Sequence, residues 1–278
     1  MTGQDTVAGL RREVAGGIAF LRRAGEAQGP TVLLLHGVGS NASSFAALAT
    51  AMPAPMNVIA WDAPGYGDSA PLADAMPTPR AYADALAKFL DALELRRIAL
   101  AGHSLGALFA GSFAVHYQDR VSALALISPA LGYGIQPGGT LPAGVQSRID
   151  EINELGPAAF AKKRAARLVG DPNARPDIVA AVERGMAAVH PRGYVQAVHA
   201  LGAGQLLLDA RSIGAPTLVA VGARDVITPP TNASELHAAL PRAVGFHQIA
   251  NAGHALQQEE PAVLAALLAR TAETIAHA

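Results

Sequence analysis

The chain has no cysteine. That excludes a disulfide framework, a thiolate nucleophile, cysteine metal ligands and cysteine redox chemistry, and it fits a reducing compartment, so a cytoplasmic location is the expectation. No excess of one charge sign exists either: 21 basic and 22 acidic residues leave a formal net charge of -1. The electrostatic footprint that nucleic acid or an anionic membrane requires is therefore missing, and a small, uncharged or mildly polar substrate is the simpler partner. Long hydrophobic runs are absent as well. The longest, Val121 to Ile127 and Pro261 to Ala269, fall short of the roughly 20 residues that span a bilayer. Met1 to Leu10 carries Asp5 and no apolar run, and Arg11-Arg12 leads into Glu13 and Gly16-Gly17, so no signal peptide is expected. Among nine histidines none pairs at the i, i+4 spacing with an intervening glutamate that zinc hydrolysis uses, and no G-x-x-x-x-G-K-[ST] loop occurs. Neither a metal nor an organic cofactor is expected.

What is present is a chain of 278 residues, 51% hydrophobic and 15% charged, enough for one large α/β domain or a domain with an insert. Short apolar, β-rich runs alternate with helical patterns, the sign of a mostly parallel sheet covered on both faces. The candidate strands are Ile18 to Arg22, Thr31 to Leu35, Val58 to Trp61, Ile98 to Ala101, Ala123 to Ile127, Thr217 to Val221 and Gly245 to Ile249. Helical patterns cover Ser43 to Ala51, Pro79 to Leu93, Leu105 to Tyr117, Asn232 to Leu240 and Glu260 to Ile275. Thr78 before Pro79 reads as an N-cap followed by proline at the first helical position.

After Ile127 the alternation stops. A Gly and Pro loop from Gly132 to Pro142 leads into helical patterns at Val145 to Leu155, Pro157 to Val169, Pro176 to Ala188 and Gly193 to Leu208. The chain there leaves the sheet as a helical insert, a candidate lid.

Gly102-His103-Ser104-Leu105-Gly106 matches G-x-S-x-G. Its setting carries more weight than the match, because it begins where a strand ends and ends where a helix begins, as a nucleophile elbow requires. A serine on so tight a turn is strained, the flanking glycines avoid collisions, and the helix N-terminus favours developing negative charge. Such a hydroxyl needs a base, and the base needs a carboxylate to orient it. His254, in Asn251-Ala252-Gly253-His254, follows the last strand and precedes the last helix. His36 and His103 occupy strand ends, where packing and backbone hydrogen bonding are the simpler roles, and the remaining histidines fall on helices, a strand or an insert turn. Asp225, in Gly222-Ala-Arg-Asp225, follows the strand Thr217 to Val221. The alternative position after Ile127 holds Ser128 and Pro129, which offer no carboxylate. Asp62 and Asp68 precede the serine and read as turn stabilisers.

Two donors must face the oxyanion, and backbone amides suffice. Leu105, first after the serine, supplies one; the loop His36-Gly-Val-Gly39-Ser-Asn41 supplies the other through Val38. The same loop, Gly37 to Ala42, also fits the relaxed dinucleotide pattern G-x-G-x-x-A, with Asp62 beyond the next strand. A nucleotide reading leaves Ser104, Asp225 and His254 unexplained.

From Leu35-His-Gly-Val-Gly39 through Gly102-His-Ser-Leu-Gly106 to Gly253-His254, the chain resembles the α/β-hydrolase superfamily. It looks like its cap-bearing group of 3-oxoadipate enol-lactone hydrolases, meta-cleavage carbon-carbon hydrolases and small-ester esterases. Gly193-Tyr194, Asp209 to Pro216 and Asp225-Val-Ile-Thr-Pro-Pro230 are most similar to the enol-lactone hydrolases. The resemblance implies an α/β-hydrolase fold, a mostly parallel central sheet flanked by helices, with a helical cap inserted after the sixth strand. Residues 1–131 and 210–278 would form the core and 132–209 the cap. It implies Ser104, Asp225 and His254 as triad, Val38 and Leu105 as oxyanion hole, and hydrolysis of a small-molecule ester or lactone by a monomer or homodimer. A carbon-carbon hydrolase of a vinylogous diketone and a ligand receptor on the same fold remain alternatives. Tyr133, Phe160, Met186 and Tyr194 are candidates for the pocket wall, and Arg164, Arg167 and Arg192 are available to an acidic substrate.

Overall fold

The computed structural model describes residues 6–7, 9–27 and 29–273. The expected helical end at Ile275, the candidate His277 and the start of the N-terminal stretch, 1–5, lie outside the described residues. The strands in chain order are β1 (Thr6–Val7), β2 (Leu10–Ala15), β3 (Ile18–Arg23), β4 (Thr31–Leu35), β5 (Asn57–Trp61), β6 (Ile98–His103), β7 (Val121–Ile127), β8 (Thr217–Gly222) and β9 (Ala243–Ile249). The helices are α1 (Ala46–Ala51), α2 (Pro79–Ala92), α3 (Leu105–His116), α4 (Ala143–Arg164), α5 (Pro176–Ala187), α6 (Pro191–Ala203), α7 (Leu206–Ala210), α8 (Pro230–Ala239), α9 (Leu256–Glu259) and α10 (Pro261–Glu273). All described strands join one sheet in the order β1-β2-β3-β5-β4-β6-β7-β8-β9. Pairings from β1 to β5 through β3 are antiparallel, and those from β5 onward are parallel.

The strand period of two divides the core. Leu33 and Leu35 of β4, with Ile98 and Leu100 of β6, join the aromatic-rich cluster of Trp61, Tyr82, Phe109 and Phe113. Val32 and Leu34, with Ala99 and Ala101, face the other way onto Leu264 and Leu268 of α10. Both sheet faces are thus covered, which is why these strands read as continuous apolar runs instead of alternating ones. Helix α3 is buried from Leu105 through Ala114, as a helix that is apolar all round must be.

Strands β1 and β2 were not among the sequence expectations. Leu10–Ala15 holds Arg11, Arg12 and Glu13, and only Leu10 is buried. Its pairing with β3 sets Glu13 opposite Phe20 and brings its carboxylate 3.2 Å from Arg22 Nε, so cross-strand pairing carries the strand where hydrophobic pattern does not. Thr78 stands before α2 with an extended backbone, but its side chain makes no capping hydrogen bond.

Helices α4 to α7 lie between β7 and β8. Counted from β2 this insert follows the sixth strand; the two-residue β1 makes β7 the seventh in chain order. Gly156 (φ 71, ψ 166) breaks α4 where the sequence pattern breaks between Leu155 and Pro157. The insert is tied to the rest of the sheet layer on two sides. Gln196 Nε2 donates to Leu72 O at 2.8 Å, and Ala255 N donates to Leu168 O at 2.8 Å. No described helix is long and apolar enough to cross a membrane.

Candidate active site

Ser104 is the single residue between β6 and α3, at φ 54 and ψ -116. This left-handed region is disfavoured for a residue with a Cβ and costs on the order of 1–3 kcal/mol. The surroundings enforce it. Ser104 N donates to Ile127 O at 2.9 Å, and Ser104 O accepts from Ala107 N at 3.0 Å and Ala130 N at 3.2 Å. A Cβ on Gly102 would run into the Gly106 carbonyl, and one on Gly106 into the backbone of Leu35, so a bulkier residue at either position would push strand and helix apart.

Asp225 lies in the turn after β8, where its Oδ1 accepts from the amides of Ile227 and Thr228, both at 2.9 Å. Its Oδ2 accepts from His254 Nδ1 at 2.9 Å and from the Thr228 hydroxyl at 2.9 Å. Burial opposes its ionisation, but the His254 charge and hydrogen bond and the two amides outweigh burial and bring the carboxyl down to about 2. It is therefore a carboxylate at neutral pH and holds the proton of His254 on Nδ1, which leaves Nε2 with its lone pair toward the cavity. Among the described residues no hydrogen bond joins Ser104 Oγ to His254. Both side chains border one cavity, and such bonds commonly tighten only when substrate is bound.

The His254 loop is braced by Glu259 and Thr228, which sequence reasoning passed over, and by His103, whose strand-end place pointed to backbone bonding. Glu259, buried, accepts from Gly253 N at 2.6 Å and from Gly170 N of the insert at 2.8 Å. His103 Nε2 donates to the His254 carbonyl at 2.7 Å; since a carbonyl only accepts, the proton sits on Nε2. Burial and then the neighbouring His254 charge bring the His103 imidazole down to about 3, so it stays neutral beside His254. The Thr228 hydroxyl lies within hydrogen-bond distance of Asp225 Oδ2, of Ser128 O at 2.9 Å and of His254 Nδ1 at 3.1 Å. Ordinary threonines and glutamates carry no sequence signal for such roles.

The loop after β4 runs directly beside the serine: a Cβ on Gly37 would sit 2.9 Å from Ser104 Cβ and 3.3 Å from its Oγ. His36 pins that loop through Nδ1, which donates to Gly37 O at 2.9 Å, while its Nε2 accepts from Ala63 N at 3.0 Å. Val38 and Leu105 both border the cavity with Ser104. Neither amide is taken by a protein acceptor among the described residues, so both are available as donors. Asp62 accepts from Ala42 N at 2.8 Å and pairs with Arg12 at 3.2 Å; it holds the loop, as a turn-stabilising reading expects, and does not border the cavity over Ser104. Asp68 is exposed.

The cavity over Ser104 has a volume of about 250 Å³. Met186 and Tyr194 form part of its wall and Tyr133, 53% exposed, its mouth. Phe160 is a correction: it does not reach the cavity but lies behind Tyr194, ring against ring at 5.2 Å, because the helix face it occupies points into the insert's own core. Arg192 also lies outside the cavity wall, whereas Arg148, not singled out in the sequence, borders it with Arg164 and Arg167. A second cavity of about 430 Å³ meets the first at Val38, Leu168 and His254. No group of three or more His, Cys, Asp or Glu among the described residues is arranged to hold a metal ion.

Comparison with known proteins adds an independent line. The family described as alpha/beta hydrolase fold matches residues 30–261. A pimeloyl-acyl-carrier-protein methyl ester esterase of Chromobacterium violaceum is 30% identical over 235 residues, covering 82% of this chain and 88% of that protein. Among solved structures, a thermophilic esterase from Thermogutta terrifontis with malate bound superposes at a TM-score of 0.83 with 24% identity, over 95% of this chain and 99% of that one. The enol-lactonase of Burkholderia xenovorans LB400 superposes at 0.82 with 22% identity, over 94% and 98%. A match that runs from β4 through the loop of His254 takes in the elbow, the acid turn and the histidine together, and the chain belongs to the α/β-hydrolase fold family.

Proposed function

We propose that this protein is a serine hydrolase that cleaves a small-molecule carboxylic ester or enol-lactone through an acyl-enzyme on Ser104, with residues 132–209 as the cap over its acyl cavity. The observation that carries the reading is the 2.9 Å contact of His254 Nδ1 with Asp225 Oδ2, which orients a histidine that borders the same cavity as Ser104 at its positive-φ turn. The esterase activity named for the Chromobacterium violaceum relative supports the reaction class, and the enol-lactonase shares the fold.

In this mechanism His254 Nε2 takes the Ser104 proton as Oγ attacks the acyl carbon. The negative oxygen of the tetrahedral intermediate accepts from the Val38 and Leu105 amides. Collapse breaks the bond to the alkoxy oxygen, which receives the proton from His254; for an enol-lactone the freed enol then ketonises. Water, deprotonated by the same nitrogen, attacks the acyl-enzyme and releases the acid. No step calls on a metal or an organic cofactor.

Hydrolysis of p-nitrophenyl esters from acetate to octanoate by wild type and Ser104→Ala tests the reading. Activity that disappears in Ser104→Ala supports it, and the preferred chain length sizes the cavity; equal activity in both proteins overturns it.

A further inference from the structure

The cavity over Ser104 has an unbalanced wall. Three guanidinium-bearing residues, Arg148, Arg164 and Arg167, border it, and no aspartate or glutamate does. All three come from α4 and the 3-10 turn that follows it, 165–168. The left-handed Gly156 folds α4 back on itself, so that Arg148, before the kink, and Arg164, after it, reach one cavity. Glu151 answers part of this charge, but it already holds two cations, Arg164 at 2.8 Å and Lys163 at 3.1 Å. Arg164 is further fixed with its Cζ 4.9 Å from the centre of the Phe160 ring. Arg148 and Arg167 have no carboxylate within ion-pair distance among the described residues. Burial raises the Tyr194 phenol above its ordinary value, and the charge and hydrogen bond of Arg148, with the charge of Arg164, work against that rise; all three side chains border the cavity.

Filling this space with a purely hydrocarbon acyl chain would take water from the half-buried Arg148 and give its charge no counter-ion, an unfavourable exchange, while the exposed Arg167 stays at the rim. A carboxylate would restore charge-assisted hydrogen bonds in the planar geometry that guanidinium matches best. The cavity, about 250 Å³, has room for a short chain and one terminal charged group.

We infer that Arg148 and Arg167, buttressed by Arg164, form a carboxylate subsite, and that the acyl part of the substrate is a short chain ending in a free carboxylate, as in a dicarboxylic acid monoester or the corresponding carboxylated lactone. This deepens the proposed hydrolysis and rests on it.

The test compares p-nitrophenyl glutarate, charged at the far end, with neutral p-nitrophenyl hexanoate. The wild type favours the glutarate ester in kcat/KM, and added salt narrows the preference. In the Arg148→Gln, Arg167→Gln double variant the ratio of the two falls by about tenfold or more, mainly through KM, the scale of losing a hydrogen bond to a charged group; Arg148→Lys with Arg167→Lys, which keeps the charge but not the planar fork, falls between the glutamine variant and wild type. A wild type that treats the two esters alike, or a double variant that keeps the ratio, overturns the subsite while leaving Ser104-dependent hydrolysis intact. Hydrolysis that persists in Ser104→Ala instead overturns the mechanism. Glutarate binding to the Ser104→Ala protein by calorimetry reads the subsite without catalysis: binding lost in the double glutamine variant supports it, and no binding overturns it.

Discussion

Replacing Asp225 by asparagine isolates what the carboxylate does for His254. The amide oxygen can still accept from the Ile227 and Thr228 amides, so the turn survives. The amide nitrogen, however, takes the place of Oδ2 against His254 Nδ1 at 2.9 Å, and two N–H groups cannot face each other. The imidazole must move its proton to Nε2 to accept there, and a protonated Nε2 cannot take the Ser104 proton. The expected loss in kcat is about 10⁴-fold, the scale seen when a triad histidine is held in the wrong tautomer. The stability cost follows from linkage. The carboxyl ordinarily titrates at 3.8 and is brought down to about 2 in the fold. It therefore contributes about 2 kcal/mol at pH 7, and this contribution is present above 3.8 and fades as pH falls toward 2. Urea unfolding of both proteins at pH 7 and pH 3, beside ester kinetics at pH 7, reads both effects: the stability gap narrows in acid and the rate gap is large. A variant whose kcat stays within about tenfold of wild type would refute the assigned tautomer and the role of Asp225.

Thr228→Val removes the hydroxyl shared by Asp225 and the Ser128 carbonyl and should lower kcat more than it raises KM, with recovery in Thr228→Ser; unchanged kcat would make the hydroxyl structural only. For His103 the folded value of about 3 lies below the ordinary 6.5, so the unfolded chain binds a proton that the fold refuses, and stability drops as pH falls from 6.5 to about 3 by about 1.4 kcal/mol per unit. In His103→Asn the slope of unfolding free energy against pH in that window should lessen by this amount, and a parallel curve would contradict the buried neutral assignment. Glu259→Ala leaves the amides of Gly170 and Gly253 without their acceptor; a loss on the order of 1–3 kcal/mol per orphaned group should appear in denaturant unfolding, together with a fall in kcat from the loosened His254 loop.

The parallel part of the sheet was legible because both its faces are buried, which writes each strand as an apolar run such as Thr-Val-Leu-Leu-Leu from Thr31 to Leu35. Strand β2 was not, because its pairing runs through Arg22 and Glu13, which look like loop residues in one dimension. The elbow was legible because backbone geometry dictates residue type at Gly102 and Gly106. Asp225 and His254 followed from their places after strand ends. His103 reads from its strand-end place as a packing and backbone-bonding residue, and it does bond a backbone carbonyl, but the sequence does not say that the carbonyl is that of His254, 151 residues away; Thr228 and Glu259 were hidden, because their contacts to Ser128 and Gly170 are made across the fold. Phe160 stands off the cavity and Arg148, unmarked in the sequence, stands on it for a related reason. Which face of an insert helix meets the cavity depends on the turn at Gly156, and helical periodicity identifies a buried face without saying what lies opposite it.

The most direct measurement is the location of the acyl group. After brief, acid-quenched reaction with p-nitrophenyl acetate, peptide mass spectrometry should find one acetyl group, on Ser104, in step with a burst of nitrophenol close to one per chain, and both should vanish in Ser104→Ala. An acetyl group on another residue, or a burst that persists without Ser104, would contradict the account.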